Sequence, residues 1–294
     1  MSVTAGNAQG SAAAVAQPTR TPQDLARRAD WIRLRTIELI DGAGLGHYSS
    51  TFSCAEILSV LYYRTLRLRP LEPDWPDRDR FLLGKGHVAT GVWPVLADLG
   101  YFPESWLDGF GRIGCRLTDH PDMRVAPGVD FSSGSLGHNL SVGLGMALAG
   151  RISGRDYRTF VLTGDGELQE GQVWEAVMAA GHYRLGGLVA VIDANGFSGH
   201  GPTSEALNIE PLADRFRAFG WEVVEIDGHD IDALCETFDA LQPARERPPT
   251  CVVARTRKGQ GVAMTEESPQ AWHLGHLAPE QRDRARAEIE ARLQ

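Results

Sequence analysis

Two oxygen-bearing side chains stand at matching places in the chain: Asp165 in Gly164-Asp165-Gly166, and Asn195 in Ala194-Asn195-Gly196. Each closes an apolar run, and each is followed by glycine. A carboxylate, an amide oxygen and a nearby main-chain carbonyl suit a hard divalent cation. Mg2+ takes oxygen ligands at about 2.0–2.1 Å and usually completes its shell with phosphate and water. Gly164 and Gly166 allow close backbone approach to such a phosphate and tolerate positive φ. No Lys follows these glycines as in a P-loop, so the metal is expected to neutralise the phosphate charge. Taken alone, Gly-Asp-Gly is equally a tight strand-to-helix turn. Its pairing with Asn195 at a second strand end favours the metal.

The other chemistry-bearing residues are histidines, nine in all. A single histidine is ordinarily structural, and His182, His229 and His276 are read that way. His47, His87 and His120 differ, because each stands in a loop beside glycine or proline. Neutral imidazole donates and accepts a hydrogen bond, and its proton affinity lies near working pH.

The elements that position these residues follow from the apolar pattern. Tyr157 to Thr163 reads as a strand, Leu168 to Tyr183 as a helix and Leu188 to Asp193 as a second strand. A right-handed crossover makes the strands parallel and leaves Asp165 and Asn195 beyond their carboxyl ends, where open α/β sheets bind ligands. Upstream, Thr21-Pro22-Gln23-Asp24 opens a helix with a cap, an N1 proline and an early acid. That helix stops at Gly42-Ala43-Gly44-Leu45-Gly46-His47, a loop whose glycines packing alone would not require. Ser53-Cys54-Ala55-Glu56 has the form of a capping box opening another helix through Leu61.

Phe81-Leu82-Leu83 is a short strand that ends at Gly84-Lys85-Gly86-His87. Between Gly100 and Phe131 there is little periodicity, and this stretch carries Asp119-His120-Pro121. A small-residue helix runs from Asn139 to Ala149, where Gly143 and Gly145 demand close packing against another element. Trp221 to Ile226 and Thr250 to Ala254 are two more strands, and Pro279 opens a last helix to Leu293. The alternation predicts an α/β fold, a doubly wound and mostly parallel sheet, in one domain over 21–294. Residues 1–20, rich in Ala, Ser and Gly, read as a disordered tail without the features of an export signal.

The run Gly164-Asp165-Gly166-Glu167-Leu168-Gln169-Glu170-Gly171-Gln172-Val173-Trp174-Glu175-Ala176, with Asn195 after it, resembles the thiamine-diphosphate motif of transketolases. The likeness extends from about Leu25 to Pro279 and is to the N-terminal, diphosphate-binding half, of the kind encoded as a separate subunit. It implies that Asp165, Asn195 and the carbonyl of Phe197 hold Mg2+ (Ca2+ or Mn2+ substituting), with Gly166 against the diphosphate. It implies that His87 approaches the diphosphate, His47 and His120 face sugar hydroxyls, and His273 serves cofactor and substrate. Gly134 and Leu136 match the segment along the cofactor's aminopyrimidine, and Glu170 matches an acid at the interface joining paired active sites.

The implied activity is transfer of a two-carbon ketol unit from a ketose to an aldose, phosphorylated or not. The implied partner is a C-terminal, pyrimidine-binding subunit in an α2β2 assembly. The alternatives are a deoxyxylulose-phosphate synthase, a non-catalytic cofactor-binding regulator and a 2-oxoacid dehydrogenase subunit. The chain departs from the family pattern at Tyr48-Ser49 (usually Pro-Gly), at His138 (commonly Gln) and at Ser198-Gly199-His200-Gly201. The metal ligands are intact, so the expected consequence is an altered substrate pocket.

Composition sets outer limits. With 294 residues, 43% of them hydrophobic, the chain buries a large α/β core. A formal charge of −9 argues against nucleic acid or an anionic membrane as partner. Cys54, Cys115, Cys235 and Cys251 form no C-x-x-C pair and read as inert thiols of a cytoplasmic protein. No apolar run approaches the roughly 20 residues that span a bilayer.

Overall fold

The structure, a computed structural model, describes residues 20–241 and 247–293. The tail expected over 1–20 lies outside the described residues except for Arg20. The first helix, α1 (Pro22–Ala43), begins as expected. Thr21 accepts from the Asp24 amide while Asp24 reaches back to the Thr21 amide, and Pro22 sits in the first turn. It ends at Gly44, whose φ of 81° lets its N–H return to Ile40 O. Gly46 answers to packing, since a Cβ there would lie 2.5 Å from Ile40 Cγ1. Helix termination and packing thus account for glycines that the sequence pattern assigned to something else.

Among the described residues seven strands follow in order: β1 (Arg80–Leu83), β2 (Thr159–Gly164), β3 (Leu188–Ala194), β4 (Phe197–Ser198), β5 (Gly201–Pro202), β6 (Glu222–Asp227) and β7 (Thr250–Arg255), with short helices α2 (Tyr48–Phe52), α7 (Thr203–Ala206) and α10 (Ala263–Glu267) among the longer ones. Five of the strands form one parallel sheet in the order β1-β2-β3-β7-β6, and β4 and β5 make a small antiparallel hairpin. Every residue of β2 and β3 is buried, as expected for central strands covered on both faces. On one face Phe81, Leu83, Phe160, Leu162, Val189 and Val191 pack on α1, α3 (Ala55–Val60), α4 (Ala89–Asp98) and α9 (Ile231–Asp239). On the other, Leu82, Val161, Ala190, Ile192 and Val253 meet α5 (His138–Ile152), α6 (Gly171–His182) and α8 (Leu212–Ala218). The last helix, α11 (Pro279–Leu293), has the predicted bounds. It buries Ala285 and Ile289 against Ile37 and Ile40 of α1 and is pinned there by Arg282–Asp41, Arg286–Glu38 and Arg292–Asp30 pairs. Among the described residues no helix is long and apolar enough to cross a membrane.

Three local expectations are corrected. Ser53 caps nothing: Cys54 stands at the N-cap of α3, and the Ser53 hydroxyl donates to Asp193 Oδ2 at 2.6 Å. A buried carboxylate is the stronger acceptor for that hydroxyl. The helix expected from Leu168 starts as a 3-10 turn (Gly166–Gln169), breaks at an extended Glu170, and resumes as α6 at Gly171. α5 holds three glycines, and of the two expected to need close packing, Gly143 and Gly145, the first alone does. A Cβ on it would stand 2.6 Å from Val161 Cγ2, whereas Gly145 has nothing within 4 Å.

Candidate active site

The register of β2 and β3 pairs Gly164 with Asp193, so both chains leave the sheet side by side. β1 leads to Lys85 and β7 to Lys258, which brings four strand ends to one edge. A cavity opens there, and every site residue predicted from the sequence lines it: His47, His87, His120, Gly134, Leu136, Asp165, Gly166, Glu170, Asn195, Phe197 and His273. Sequence separation is irrelevant to this grouping, because parallel strands all deliver their following loops to the same edge.

The oxygen donors are held in fixed orientations. Asp165 is buried and accepts from Gly166 N at 2.8 Å and Gly196 N at 2.5 Å. Burial, with nearby Asp193, pushes its acid up to about 6. Asn195 donates its Nδ2 to Asp193 Oδ2 at 3.1 Å, which turns Oδ1 the other way, where it accepts from Phe197 N at 3.1 Å. Asp193 is fully buried and also receives Ser53, Thr256 and Lys85. Burial alone would raise its acid, but the Lys85 ammonium overcomes that and holds it below the ordinary range. For Lys85, burial works against the charge, and Asp193 more than offsets it.

Gly166 carries no positive φ. Its missing side chain serves close approach instead, since a Cβ there would lie 3.0 Å from Ser198 Cβ and 3.1 Å from Ser198 Cα. The β4–β5 hairpin can therefore pack closely against the 164–166 turn. A neutralising cation, missing from the glycine turn itself, comes from elsewhere. Lys258 Nζ donates to Ser198 O at 3.1 Å and makes no ion pair among the described residues. Burial, reinforced by Lys85, lowers its ammonium to about 8. An enclosed ammonium without a carboxylate partner is costly unless an anion joins it.

Opposite these groups three imidazoles touch one another: His47–His87 at 4.9 Å, His47–His273 at 5.3 Å and His87–His273 at 5.4 Å between ring centres. Burial and neighbouring Lys85 drive His87 well below an ordinary imidazole, and burial with Lys258 brings His273 down to about 3. Both rings are neutral at working pH. Ser50 Oγ lies 3.1 Å from His273 Nδ1, which leaves the other ring nitrogen for a ligand. Asp119 stands between His47 and a fourth ring, 3.6 Å from His47 Nδ1 and 3.5 Å from His120 Nδ1. His182, His229 and His276 lie outside the cavity, as expected. His229 instead bridges Glu56 and the Arg257 amide.

The departures from the family pattern divide. Tyr48 and Ser49 are buried and face away from the cavity. Ser49 Oγ donates to Pro269 O and Trp272 O, and the Leu277 amide reaches Tyr48 Oη, so this pair holds the segment that carries His273. His138 begins α5 and is not a lining residue. The 198–201 stretch does reach the cavity, through Ser198, Gly199 and His200, and Gly199 leaves room for His273, whose Nε2 would be 3.2 Å from a Cβ there.

Sequence reasoning passed over Ser50, Lys85, Asp119, Glu167, Asp193 and Lys258. For the two lysines a signal existed, since each directly precedes a glycine after a strand, as Asp165 and Asn195 do in their turns. For Ser50 and Asp193 none existed, because their roles arise from contacts between distant segments.

The donor set fits Mg2+ and a diphosphate. Asp165 supplies the one carboxylate, Asn195 and the Phe197 carbonyl neutral oxygens, and Lys258 an unmatched positive charge beside them. Among the described residues no group of three His, Cys, Asp or Glu side chains is placed to hold a metal by itself.

Comparison with known proteins bears on the same region. The family described as "Transketolase, thiamine diphosphate binding domain" matches residues 25–289. The chain is 37% identical over 262 residues to an apulose-4-phosphate transketolase subunit of Phocaeicola vulgatus, covering 89% of this chain and 92% of that one. It is 40% identical over 267 residues to a 6-deoxy-6-sulfo-D-fructose transketolase subunit of a Clostridium species, covering 91% and 96%. Among solved structures, the transketolase of Campylobacter jejuni superposes with a TM-score of 0.85 at 28% identity, over 92% of this chain but 43% of that one. The transketolase of Leishmania mexicana gives 0.83 at 28%, over 93% and 42%. With the fold, the strand-end cavity and these likenesses in agreement, the chain belongs to the transketolase family and forms its N-terminal, thiamine-diphosphate-binding part.

Proposed function

We propose that this chain is the diphosphate-binding subunit of a two-subunit transketolase, dependent on Mg2+, that moves a two-carbon ketol unit from a ketose to an aldose. The observation that carries this reading is the shared cavity. Asp165, Asn195 and the Phe197 carbonyl stand on one side with the unpaired Lys258, and neutral His87 and His273 stand on the other with His47. Bound thiamine diphosphate would supply the carbon nucleophile that accepts and passes on the two-carbon unit. The protein's residues do the rest. Asp165, Asn195 and the Phe197 carbonyl would hold the metal, and Lys258 would meet diphosphate oxygens. Gly134 and Leu136 would lie along the aminopyrimidine. His47, His120 and His273, able to donate and accept, would orient sugar hydroxyls and move protons.

Relatives named as subunits support a partner. The solved transketolases are more than twice as long as the region matched here, and relatives of this chain's own size are named as subunits. A second polypeptide would bring the pyrimidine-binding half, most simply as α2β2, with the exposed Glu170 at the junction. The four cysteines are unpaired thiols, which supports a reducing, cytoplasmic setting. The test is reconstitution. The purified chain with thiamine diphosphate and Mg2+ shows no ketol transfer, and adding the partner polypeptide restores it. Robust transfer by the chain free of any second protein would overturn the two-subunit reading. Turnover with pyruvate as donor, but with no ketose, would favour the synthase alternative.

A further inference from the structure

Glu167 lies in the cavity wall, is 2% exposed, and has no place in the chemistry above. Its carboxylate sits where three glycines from three segments converge. It accepts from Gly137 N at 2.9 Å and from Gly164 N at 3.4 Å. A Cβ on Gly84, at the end of β1, would stand 2.6 and 2.7 Å from its two oxygens. The niche thus exists because no side chain occupies it. Neither oxygen forms an ion pair among the described residues.

Gly137 is the last residue of the loop that carries Gly134 and Leu136, with φ of 85° just before α5. Its other neighbour is Glu170, whose Cβ would be 2.7 Å from a Cβ at Gly137. One short turn, 166–170, therefore grips the 134–137 loop twice, by a hydrogen bond to the Glu167 carboxyl and by contact. The same turn follows Asp165.

We propose that Glu167 is a positioning residue that clamps the 134–137 loop to the metal-bearing turn, so that the ring-binding and diphosphate-binding parts of the cofactor site form as one unit. The clamp rests on the cofactor reading for its purpose but on intrachain contacts for its existence. A carboxylate is required because both donors are main-chain N–H groups and both need an acceptor. A glutamine in the same place has one oxygen, and its NH2 would face an N–H. Leaving one buried amide without an acceptor favours an open loop, and cofactor affinity falls with the fraction still closed.

Two measurements on Glu167→Gln test this. In hydrogen–deuterium exchange of the chain without cofactor, the Gly137 amide exchanges about tenfold faster in the variant. Amides of β2 and β3 keep their rates. In the assembled two-subunit enzyme, affinity for thiamine diphosphate falls about tenfold, while affinity for Mg2+ with inorganic pyrophosphate is unchanged. Equal exchange at Gly137 in the two proteins would overturn the clamp. So would an equal loss of affinity for both ligands, which is what general structural damage produces. Should the variant not fold, the wild-type chain decides: a slowly exchanging Gly137 amide supports the clamp, and one exchanging at the open-loop rate of Ser135 overturns it. Because the exchange arm contains no cofactor, a wild-type assembly that failed to bind thiamine diphosphate would overturn the cofactor reading while exchange still decided the clamp.

Discussion

His87 and His273 are kept neutral by burial and by the lysines and imidazoles that face them. His87 meets Lys85, His47, His273 and Lys258, and His273 meets Lys258, His47, Lys85 and His200. In the unfolded chain both titrate near 6.5. The folded state refuses the proton below that value, so folding is favoured fully above it and loses stability as pH falls from about 6.5 towards 3. One such group contributes a slope of up to about 1.4 kcal/mol per pH unit. His273 contributes less, being partly open to solvent and screened. Chemical denaturation of the chain between pH 7.5 and 4.5 should show this loss, and His87→Gln should flatten it; an unchanged slope would mean the ring is not held neutral. For catalysis, His47→Ala and His120→Ala are expected to lower turnover of the assembled enzyme by about 10²–10⁴-fold with cofactor affinity nearly unchanged. His87→Ala and His273→Ala should affect both. Steady-state rates and calorimetry on all four variants separate the two classes.

At the scale of elements, α5 and the loops at the strand ends decide how closely the backbone can pack. Gly143 of α5 presses on Val161 of β2, and Gly145 faces open space. Their substitutions should therefore have opposite signs in the free chain. Gly143→Ala overfills the helix–sheet contact and is expected to cost about 1–3 kcal/mol. Gly145→Ala removes only backbone freedom from the unfolded state and should stabilise by about 0.5–1 kcal/mol. Thermal melts of the two variants are the check, and a destabilising Gly145→Ala would show that this face of α5 is not open. The same reading applies to α11. Its moderate apolar burial is supplemented by Arg282, Arg286 and Arg292 reaching α1, and it packs beside the segment that delivers His273.

The whole molecule assembles its site from four strand ends, so ligand binding is tied to the folded state of the entire sheet. With Mg2+ and thiamine diphosphate at roughly 100 times the dissociation constant, the assembled enzyme should be stabilised by about 2.7 kcal/mol. A metal chelator should remove that gain. Asp165→Ala should never show it, and Asn195→Ala should show little of it. Ca2+ or Mn2+ should restore part of it after chelation, since the donor set is all oxygen. A thermal shift in Asp165→Ala equal to that of the wild type would overturn the metal assignment.

What the amino-acid sequence determined by itself was local and periodic. The apolar runs predicted β1, β2, β3, β6 and β7, the capping residues predicted the start of α1, and Pro279 predicted the start of α11. Residues after strand ends could be assigned to a site because a parallel sheet brings all such ends to one edge. Tertiary structure alone decided which side chains complete that site. Ser53 was drawn from a helix cap to Asp193, and Tyr48 and Ser49 were turned from the cavity to the His273 segment. Lys85 was neutralised by Asp193 while Lys258 was left unmatched, and Glu167 was placed among three glycines from separate segments. Each of these outcomes is a competition between partners far apart in the chain, settled by burial and charge, and neither periodicity nor spacing records which partner prevails.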